Sequence, residues 1–150
     1  MSTADQNKRA LLELLAASDA GDVDKALSFY APDYEDHDAS EARAGRCPRS
    51  ALREAFQLFR SSFTQTRHVV DILLAQDDLV AALIRVEATH SKELFGVPAT
   101  GARVSNDSLV IYRFEGGRIR ERWCRERQST RQLLESAALP AHRRGGDPPG

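Results

Sequence analysis

The sequence has little of what identifies several large classes of protein. Only two cysteines occur in 150 residues, Cys47 and Cys124, which excludes a disulfide-rich scaffold and a four-cysteine zinc site. The longest apolar runs, such as 79–84, are far too short to cross a bilayer. The polar N-terminal segment does not have the pattern of a secretory signal. We therefore expect a cytoplasmic protein that does not insert into a membrane.

Neither sign of charge dominates, because 21 basic residues face 22 acidic ones for a net charge of −1. This balance gives no general attraction to nucleic acid or to anionic lipid. Arginines are frequent between positions 118 and 131, but Trp123 is the only aromatic ring among them. Proteins that bind single strands combine a basic groove with several stacking rings. We predict no nucleic-acid partner.

Motifs of several catalytic classes are also missing from the sequence. It has no glycine-rich phosphate-binding loop and no G-x-S-x-G nucleophile motif. The run Asp36-His37-Asp38 lacks the spacing of metal ligands, since adjacent side chains cannot all point at one ion. Cys47 precedes a proline in a loop without a visible activating group. We expect no bound metal and no thiol nucleophile.

What is present is a regular order of helices followed by strands. Apolar spacing predicts a helix over 4–19, with a capping pattern at Thr3 to Gln6, a second helix over 22–30, and a third with a stripe that includes Phe59. A polar loop is expected between 34 and 49. Strands are predicted over 68–76, 79–90, 103–114 and 118–127, followed by a short helix capped by Ser129 or Thr130. We predict one domain over 1–139 and a disordered tail over 140–150.

Helices first and hairpin-linked strands afterwards predict an α+β fold, in which the helices pack on one face of a curved antiparallel sheet. A curved sheet leaves a concavity between itself and the helices, where a small molecule can bind. Three helices do not cover all of the apolar sheet surface. We therefore also expect a dimer.

Alternation along the last strand predicts which side chains enter this concavity. Ile119 and Trp123 indicate the buried face, so Glu121, Arg125 and Arg127 should project inward. A buried charge needs a partner. Either Arg125 or Arg127 binds a carboxylate, enolate or phenolate of a substrate, or the arginines pair with Glu121 in a structural role. A further alternative is that the end of the strand frays and the arginines reach water. The opposite, outer face should carry Arg118, Arg120, Arg122, Cys124 and Glu126.

His90 ends a series of apolar residues at the even positions of the strand 79–90, so we predict that it points inward. It is a candidate general acid or base because its pKa lies near neutrality. Alternatively, it is a core histidine that donates a hydrogen bond to a backbone carbonyl. Asp36, His37 and Asp38 follow Tyr34 in the polar loop, and we expect one of these three side chains to line the mouth of the cavity.

Three segments carry motifs with a family resemblance. They are Tyr-Ala-Pro-Asp-Tyr-Glu-Asp-His-Asp at 30–38, Thr-His and then Phe-Gly-Val-Pro-Ala-Thr-Gly within 89–101, and Gly-Arg-Ile and then Glu-Arg-Trp within 117–123. Over about residues 10–135 they resemble the opening, central and closing motifs of the SnoaL-like polyketide cyclase family. The resemblance implies a cone-shaped α+β barrel, shared with nuclear transport factor two and ketosteroid isomerase. It also implies a homo-oligomer with a cofactor-free internal pocket for aromatic polyketides. The residues that we expect to contact the substrate are Tyr34, Phe59, Glu121, Trp123 and Arg125.

The resemblance further implies a reaction, an intramolecular aldol ring closure by acid/base chemistry. In the family, the acid/base residue is an aspartate four positions after the tryptophan of the last strand. That position holds Arg127 here, and a guanidinium cannot act as a base near neutral pH. Either His90, His37 or Asp38 transfers the proton, or the chemistry is different.

Two other functions stay open. In one, the protein assists hydroxylation of an anthracycline-type polyketide, with Arg127 stabilising an oxyanionic ring and a reductase partner supplying electrons. In the other, the protein binds a small molecule without transforming it, because a fold alone does not establish a reaction.

Overall fold

The structure is a computed structural model that describes residues 1–37, 45–46 and 49–139. Its elements are, in chain order, α1 (Thr3–Ala20), α2 (Val23–Ser28), β1 (Tyr30–Asp36), β2 (Gly45–Arg46), α3 (Arg49–Ser62), β3 (Phe63–Gln76), β4 (Leu79–His90), β5 (Arg103–Glu115), β6 (Arg118–Glu126) and α4 (Thr130–Ala137). The strands form one sheet in the order β2-β1-β6-β5-β4-β3. Neighbouring strands are antiparallel except β1 and β6, which are parallel. The predicted α+β fold with a curved, mostly antiparallel sheet and N-terminal helices is confirmed.

The main core lies between α1 and the inner face of the sheet. Leu11 and Leu14 of α1 are buried against Val80 of β4 and Tyr112 of β5. Burying each of these leucines contributes about 1.5–3 kcal/mol. The cap of α1 is Ser2, whose hydroxyl accepts from the backbone N–H of Asp5, one position before the predicted cap. None of the described helices is both long and apolar enough to cross a bilayer.

Two boundaries differ from the prediction. The second helix stops at Ser28, and the segment predicted to be helix end and polar loop forms β1. The reason is tertiary, because β1 obtains its backbone partners from β6, with Tyr30 opposite Ile119 and Asp36 opposite Arg122. Strand β3 begins at Phe63 rather than near 68. Asp38, Cys47 and the tail over 140–150 lie outside the described residues.

A β-bulge at Arg120 decides which side chains of β6 point inward. Phe114 pairs with Ile119, whereas Arg113 pairs with Glu121, so Arg120 is an extra residue on β6. Such a residue moves everything after it to the other face of the sheet. The predicted alternation is therefore wrong from Glu121 onward.

Beyond the bulge, the inner face carries Arg122, Cys124 and Glu126. Arg122 pairs with buried Tyr112, and Cys124 pairs with buried Val110. Cys124 was predicted to face outward but is buried.

Candidate active site

Residues of β1 and β6 form a polar cluster on the inner face of the sheet. Arg122 Nη1 donates to Asp36 Oδ2 at 3.0 Å, and the hydroxyl of Tyr34 donates to the same oxygen at 3.3 Å. The side chains of Asp36 and Arg122 are only 14% and 25% exposed. A buried ion pair contributes little net stability, because both charges lose their hydration. We therefore expect this pair to fix the position of the two side chains or to contact a ligand.

Burial and neighbours determine the charges in this cluster. Burial alone would lower the pKa of the Arg122 guanidinium, but the facing groups of Tyr112, Cys124 and Asp36 raise it well above its usual value. Burial also raises the pKa of the Tyr34 hydroxyl. Arg122 is therefore a permanent cation, and Tyr34 is a neutral hydrogen-bond donor.

Glu126 completes the polar group at the end of β6. It pairs with Ser108, two residues beyond Cys124 on the inner face. Although Glu126 as a residue is exposed, partial burial of its carboxyl group raises its pKa; attraction to Arg122 opposes the rise, and repulsion by Asp36 adds to it. A carboxyl group whose pKa is raised toward neutrality suits proton transfer.

An aromatic wall faces this side of the sheet. The ring of Tyr30 lies 4.9 Å from that of Tyr34 and 6.3 Å from that of Phe56 on α3. One helical turn further along α3, Phe59 stacks on Phe63 at 6.0 Å. Phe56 and Phe59 are both half-buried. In this wall, defined as Tyr34, Tyr30, Phe56, Phe59 and Phe63, the two tyrosines are buried, and the half-buried phenylalanines offer apolar surface on which an aromatic ligand can stack.

His90 lies at the end of the wall, where its ring is 5.8 Å from that of Phe63. It has no exposed surface. Its Nδ1 contacts the hydroxyl and the backbone N–H of Thr100. These contacts do not include a backbone carbonyl, which was the partner expected for a core histidine. The prediction that His90 points inward is confirmed by its burial.

A second polar cluster lies on the outer face of the sheet. Glu121 Oε1 is 3.0 Å from Nε2 of His37, and Arg113 Nε donates to Glu121 Oε2 at 2.7 Å. The ring of Trp123 stacks on His37 at 4.7 Å, and the guanidinium of Arg113 lies 5.8 Å from the centre of the Trp123 ring. The hydrogen bond from His37, and then that from Arg113, holds the pKa of Glu121 below its ordinary value. Glu121, His37 and Trp123 therefore do not enter the concavity.

The outer cluster contains the one group of possible metal ligands found in the described part of the chain. Ligand atoms of Glu35, His37 and Glu121 lie within 4.8 Å of one another, a donor set that a divalent cation can use. Both oxygens of Glu121 are already engaged by His37 and Arg113, so a cation would have to displace these contacts.

Arg125 and Arg127 also lie on the outer face, contrary to the prediction. Arg125 pairs with Leu109, which is 50% exposed. Arg127 donates to Asp107 at 3.5 Å, and its side chain is 76% exposed. Arg127 and His90 therefore do not face a common cavity, and the predicted role of Arg127 at the reacting centre is withdrawn.

The structure thus brings Tyr34, Phe59 and His90 to the interior, while Asp38 lies outside the described residues. Sequence reasoning missed the inward position of Arg122 and Glu126. One signal was available, because Cys124 is the residue between them and is typically buried.

The sequence also matches the model of a known family. The SnoaL-like polyketide cyclase model matches residues 8–130. The chain belongs to the SnoaL-like polyketide cyclase family. No curated protein matches the chain significantly.

Several solved structures have a similar fold. AclR from Streptomyces galilaeus, a candidate hydroxylase, is 28% identical with a TM-score of 0.77, and the match covers 92% of this chain and 100% of AclR. A candidate polyketide cyclase from Acidithiobacillus ferrooxidans is 24% identical with a TM-score of 0.76, over 92% and 100% of the two chains. IdmH from Streptomyces antibioticus, another candidate cyclase, is 24% identical with a TM-score of 0.73, over 88% and 97%. For the last two structures, the similarity shows a shared fold and nothing about function.

Proposed function

We propose that this SnoaL-like protein is a cofactor-free enzyme that closes a ring in an aromatic polyketide of the anthracycline type, with Glu126 as its acid/base residue. The observation that carries the proposal is the inward position of Glu126, on the same face as the Arg122–Asp36 pair. The aromatic wall supports an aromatic substrate, and family membership supports polyketide chemistry.

The proposed reaction is an intramolecular aldol addition. The carboxylate of Glu126 removes a proton from a carbon next to a carbonyl, and the electron pair of the C–H bond becomes an enolate. The enolate carbon attacks a second carbonyl of the same molecule, which forms the C–C bond and leaves an alkoxide. The Glu126 carboxylic acid returns the proton to this alkoxide. No atom is gained or lost, and no electrons are exchanged with another reagent.

Arg122 would stabilise the enolate by electrostatic attraction. Its charge is permanent, and it is held by Asp36 rather than free to rotate. A cation fixed before the reaction begins stabilises developing negative charge more effectively than one that must reorient. Asp36 and Tyr34 would act as positioning residues for Arg122.

A second candidate is oxygenation of the same kind of substrate. It is favoured by the similarity to AclR, a candidate hydroxylase that is 28% identical. One oxygen atom of O2 would be inserted into a C–H bond of the substrate. The other would be reduced to water by two electrons and two protons, which a reductase partner or a reduced substrate would supply. Arg127 gives this candidate no support, since it lies on the outer face.

The test is turnover of an anthraquinone-type methyl ester precursor, with and without O2, and with and without a quinone reductase and NADPH. Products are separated by chromatography and weighed by mass spectrometry. An isomer, or its dehydrated form, made without O2 supports the cyclase. A gain of one oxygen atom only in air supports the hydroxylase. Binding without conversion indicates a non-catalytic binding module.

Two neighbouring variants connect the reaction to the site. Glu126→Gln removes the base and should lower kcat by about 10²–10⁴-fold. Arg127→Gln is the matched control, because Arg127 is the next residue but faces outward, and its activity should stay near that of the wild type. Equal losses in both variants, or a loss only in Arg127→Gln, would contradict the assignment of Glu126.

A further inference from the structure

His90 is a completely buried polar residue whose partners account for only one of its two ring nitrogens. The residue has no exposed surface. One ring nitrogen, Nδ1, contacts Thr100, and the other, Nε2, is buried with no hydrogen-bond partner among the described residues. Buried polar atoms nearly always have partners, so an exception needs an explanation.

The contacts of Thr100 determine where the imidazole proton lies. The backbone N–H of Thr100 donates to Nδ1 at 3.3 Å. An N–H group can only donate, so Nδ1 must be an acceptor. The hydroxyl oxygen of Thr100 lies 3.1 Å from Nδ1 and accepts from the N–H of Ala102 at 3.2 Å, which leaves its own hydrogen free to donate to Nδ1. The proton of neutral His90 is therefore on Nε2.

A buried N–H without an acceptor is destabilising, because it loses its hydrogen bonds to water and gains none in the protein. The same face of the sheet holds a second buried polar atom without a hydrogen-bond partner among the described residues, the Oδ1 of Asn106. The amide nitrogen of Asn106 donates to the carbonyl of Gln128 at 2.8 Å, which fixes Oδ1 as the unpaired acceptor. Between the two lie the buried apolar residues Ala88 and Val104, which pair with each other. This part of the interior thus contains an unpaired donor and an unpaired acceptor among apolar residues.

We propose that the Nε2–H of His90 binds a carbonyl oxygen of an aromatic ligand, as a hydrogen-bond donor and not as a base. The inference rests on the proposed function for the aromatic character of the ligand. A ring system stacked along the aromatic wall would reach Phe63, which contacts the His90 ring at 5.8 Å. A neutral donor there satisfies a carbonyl and binds it more strongly when the oxygen becomes an enolate.

Two probe ligands isolate this contact. Anthraquinone-2-carboxylate and anthracene-2-carboxylate share three fused rings and a carboxylate, and they differ in the two ring carbonyls. The wild-type protein should bind the quinone about tenfold more tightly than the anthracene, as expected for one hydrogen bond to a buried donor. Dissociation constants come from fluorescence or calorimetric titration of the full chain.

Two variants of His90 provide a matched pair. His90→Gln places an amide N–H near the position of Nε2, whereas His90→Asn places its polar atoms near Nδ1 and leaves no donor at the Nε2 position. His90→Gln should keep most of the preference for the quinone, and His90→Asn should abolish it while anthracene binding stays the same. A loss of affinity that is equal for both ligands would assign His90 a purely structural role and overturn the inference.

A spectroscopic measurement on the wild-type protein covers the case in which both variants fail to fold. Nitrogen-15 NMR of the histidine side chains should show a protonated Nε2 and an unprotonated Nδ1 for His90, and the Nε2–H proton should move downfield on quinone binding. A proton on Nδ1, or an Nε2–H resonance unchanged by saturating quinone, would overturn the inference. Failure of both ligands to bind the wild-type protein would instead contradict the proposed function.

Discussion

Arg122 Nη1 lies 3.0 Å from Asp36 Oδ2 on the inner face of the sheet, so a cation and an anion from two parallel strands meet inside the protein. Glu126 interacts electrostatically with both, and the two act in opposite directions: Arg122 lowers the pKa of Glu126, and Asp36 raises it. The pair therefore adjusts the pKa of Glu126, the residue that we propose as the acid/base group.

Asp36→Asn should move the acidic limb of the activity profile to lower pH. Glu126 works as a base only when it is deprotonated, so activity falls on the acid side as Glu126 takes up a proton. In the wild type, burial places this limb above 4.5, the ordinary value for glutamate. Removing the negative charge of Asp36 lowers the pKa of Glu126, and Arg122→Met should raise it. The measurement is kcat/KM against pH, together with a carbon-13 NMR titration of the Glu126 carboxyl.

Asp33→Asn is the control for this prediction. Asp33 lies on the same strand, is exposed, and pairs with Arg120 at 3.2 Å instead of Arg122. It removes the same charge without touching the inner cluster, so the limb should stay in place. Shifts of the same sign in Asp36→Asn and Arg122→Met would contradict the opposed effects of the pair.

Deletion of Arg120 should leave the protein folded, with a loss of stability close to that of Arg120→Ala. Without the extra residue, Glu121 follows Ile119 directly and still pairs with Arg113, so Glu121 and Arg125 stay on the outer face and Arg122 stays on the inner face. Arg120→Ala keeps the bulge and removes the ion pairs of Arg120 with Asp33 and Glu115, so it should cost about 1 kcal/mol or less. Thermal unfolding compares the two, and a deletion that unfolds the protein would show that the pairing of β6 with β5 depends on the bulge itself.

The same bulge explains how much could be predicted from the sequence. Strand β4 was predictable because its inner positions are apolar from Val80 to Ala88, and His90 follows in phase. Strand β6 was not, because the bulge contains no glycine or proline, and its register depends on pairing with β5.

Trp123 misled the prediction because a large aromatic ring typically indicates the core. Here it lies on the outer face, where His37 stacks on it and Arg113 lies nearby. His37 comes from a distant part of the chain, and Arg113 comes from the neighbouring strand β5. A prediction from the alternation of residues along one strand cannot include such contacts. The helices, β4 and the fold class were therefore predictable, whereas the site on β6 was not.

Glu121→Gln should reduce the stability of the protein at neutral pH but not in acid. The pKa of Glu121 is lowered in the folded state, first by His37 and then by Arg113. A group with a lowered folded pKa contributes stability above its unfolded value, near 4.5, and loses it as the pH falls through the folded value. We expect a difference of roughly 1 kcal/mol at neutral pH for this partly exposed group.

Urea unfolding at a series of pH values measures this difference. The curves of wild type and Glu121→Gln should converge at the lowest pH. Glu115→Gln is the control, because Glu115 is more exposed and lies 3.9 Å from its arginine partner, so it should have little effect at any pH. A gap that widens in acid would contradict the lowered pKa of Glu121.

The outer face of the sheet should make the protein a homodimer, which we propose as its state in solution. Two rows of apolar residues run across β3, β4 and β5: Ile72, Leu83 and Leu109, and beside them Leu74, Ala81 and Ile111. Leu74 is 64% exposed and Leu109 is 50% exposed. A contiguous apolar patch of this kind is typical of a protein interface, and a two-fold axis would place it against the same patch of a second copy.

Leu109→Lys should therefore yield a monomer, because it puts a charge in the middle of the patch that the partner copy would have to bury. Sedimentation equilibrium measures the mass of each form, and circular dichroism checks that the variant is folded. Leu12→Lys is the matched control, since Leu12 is an exposed leucine of α1 and lies away from the sheet's outer face; it should remain dimeric. A wild-type protein that sediments as a monomer at high concentration, or a Leu109→Lys variant that remains a dimer, would show that this face does not join two copies.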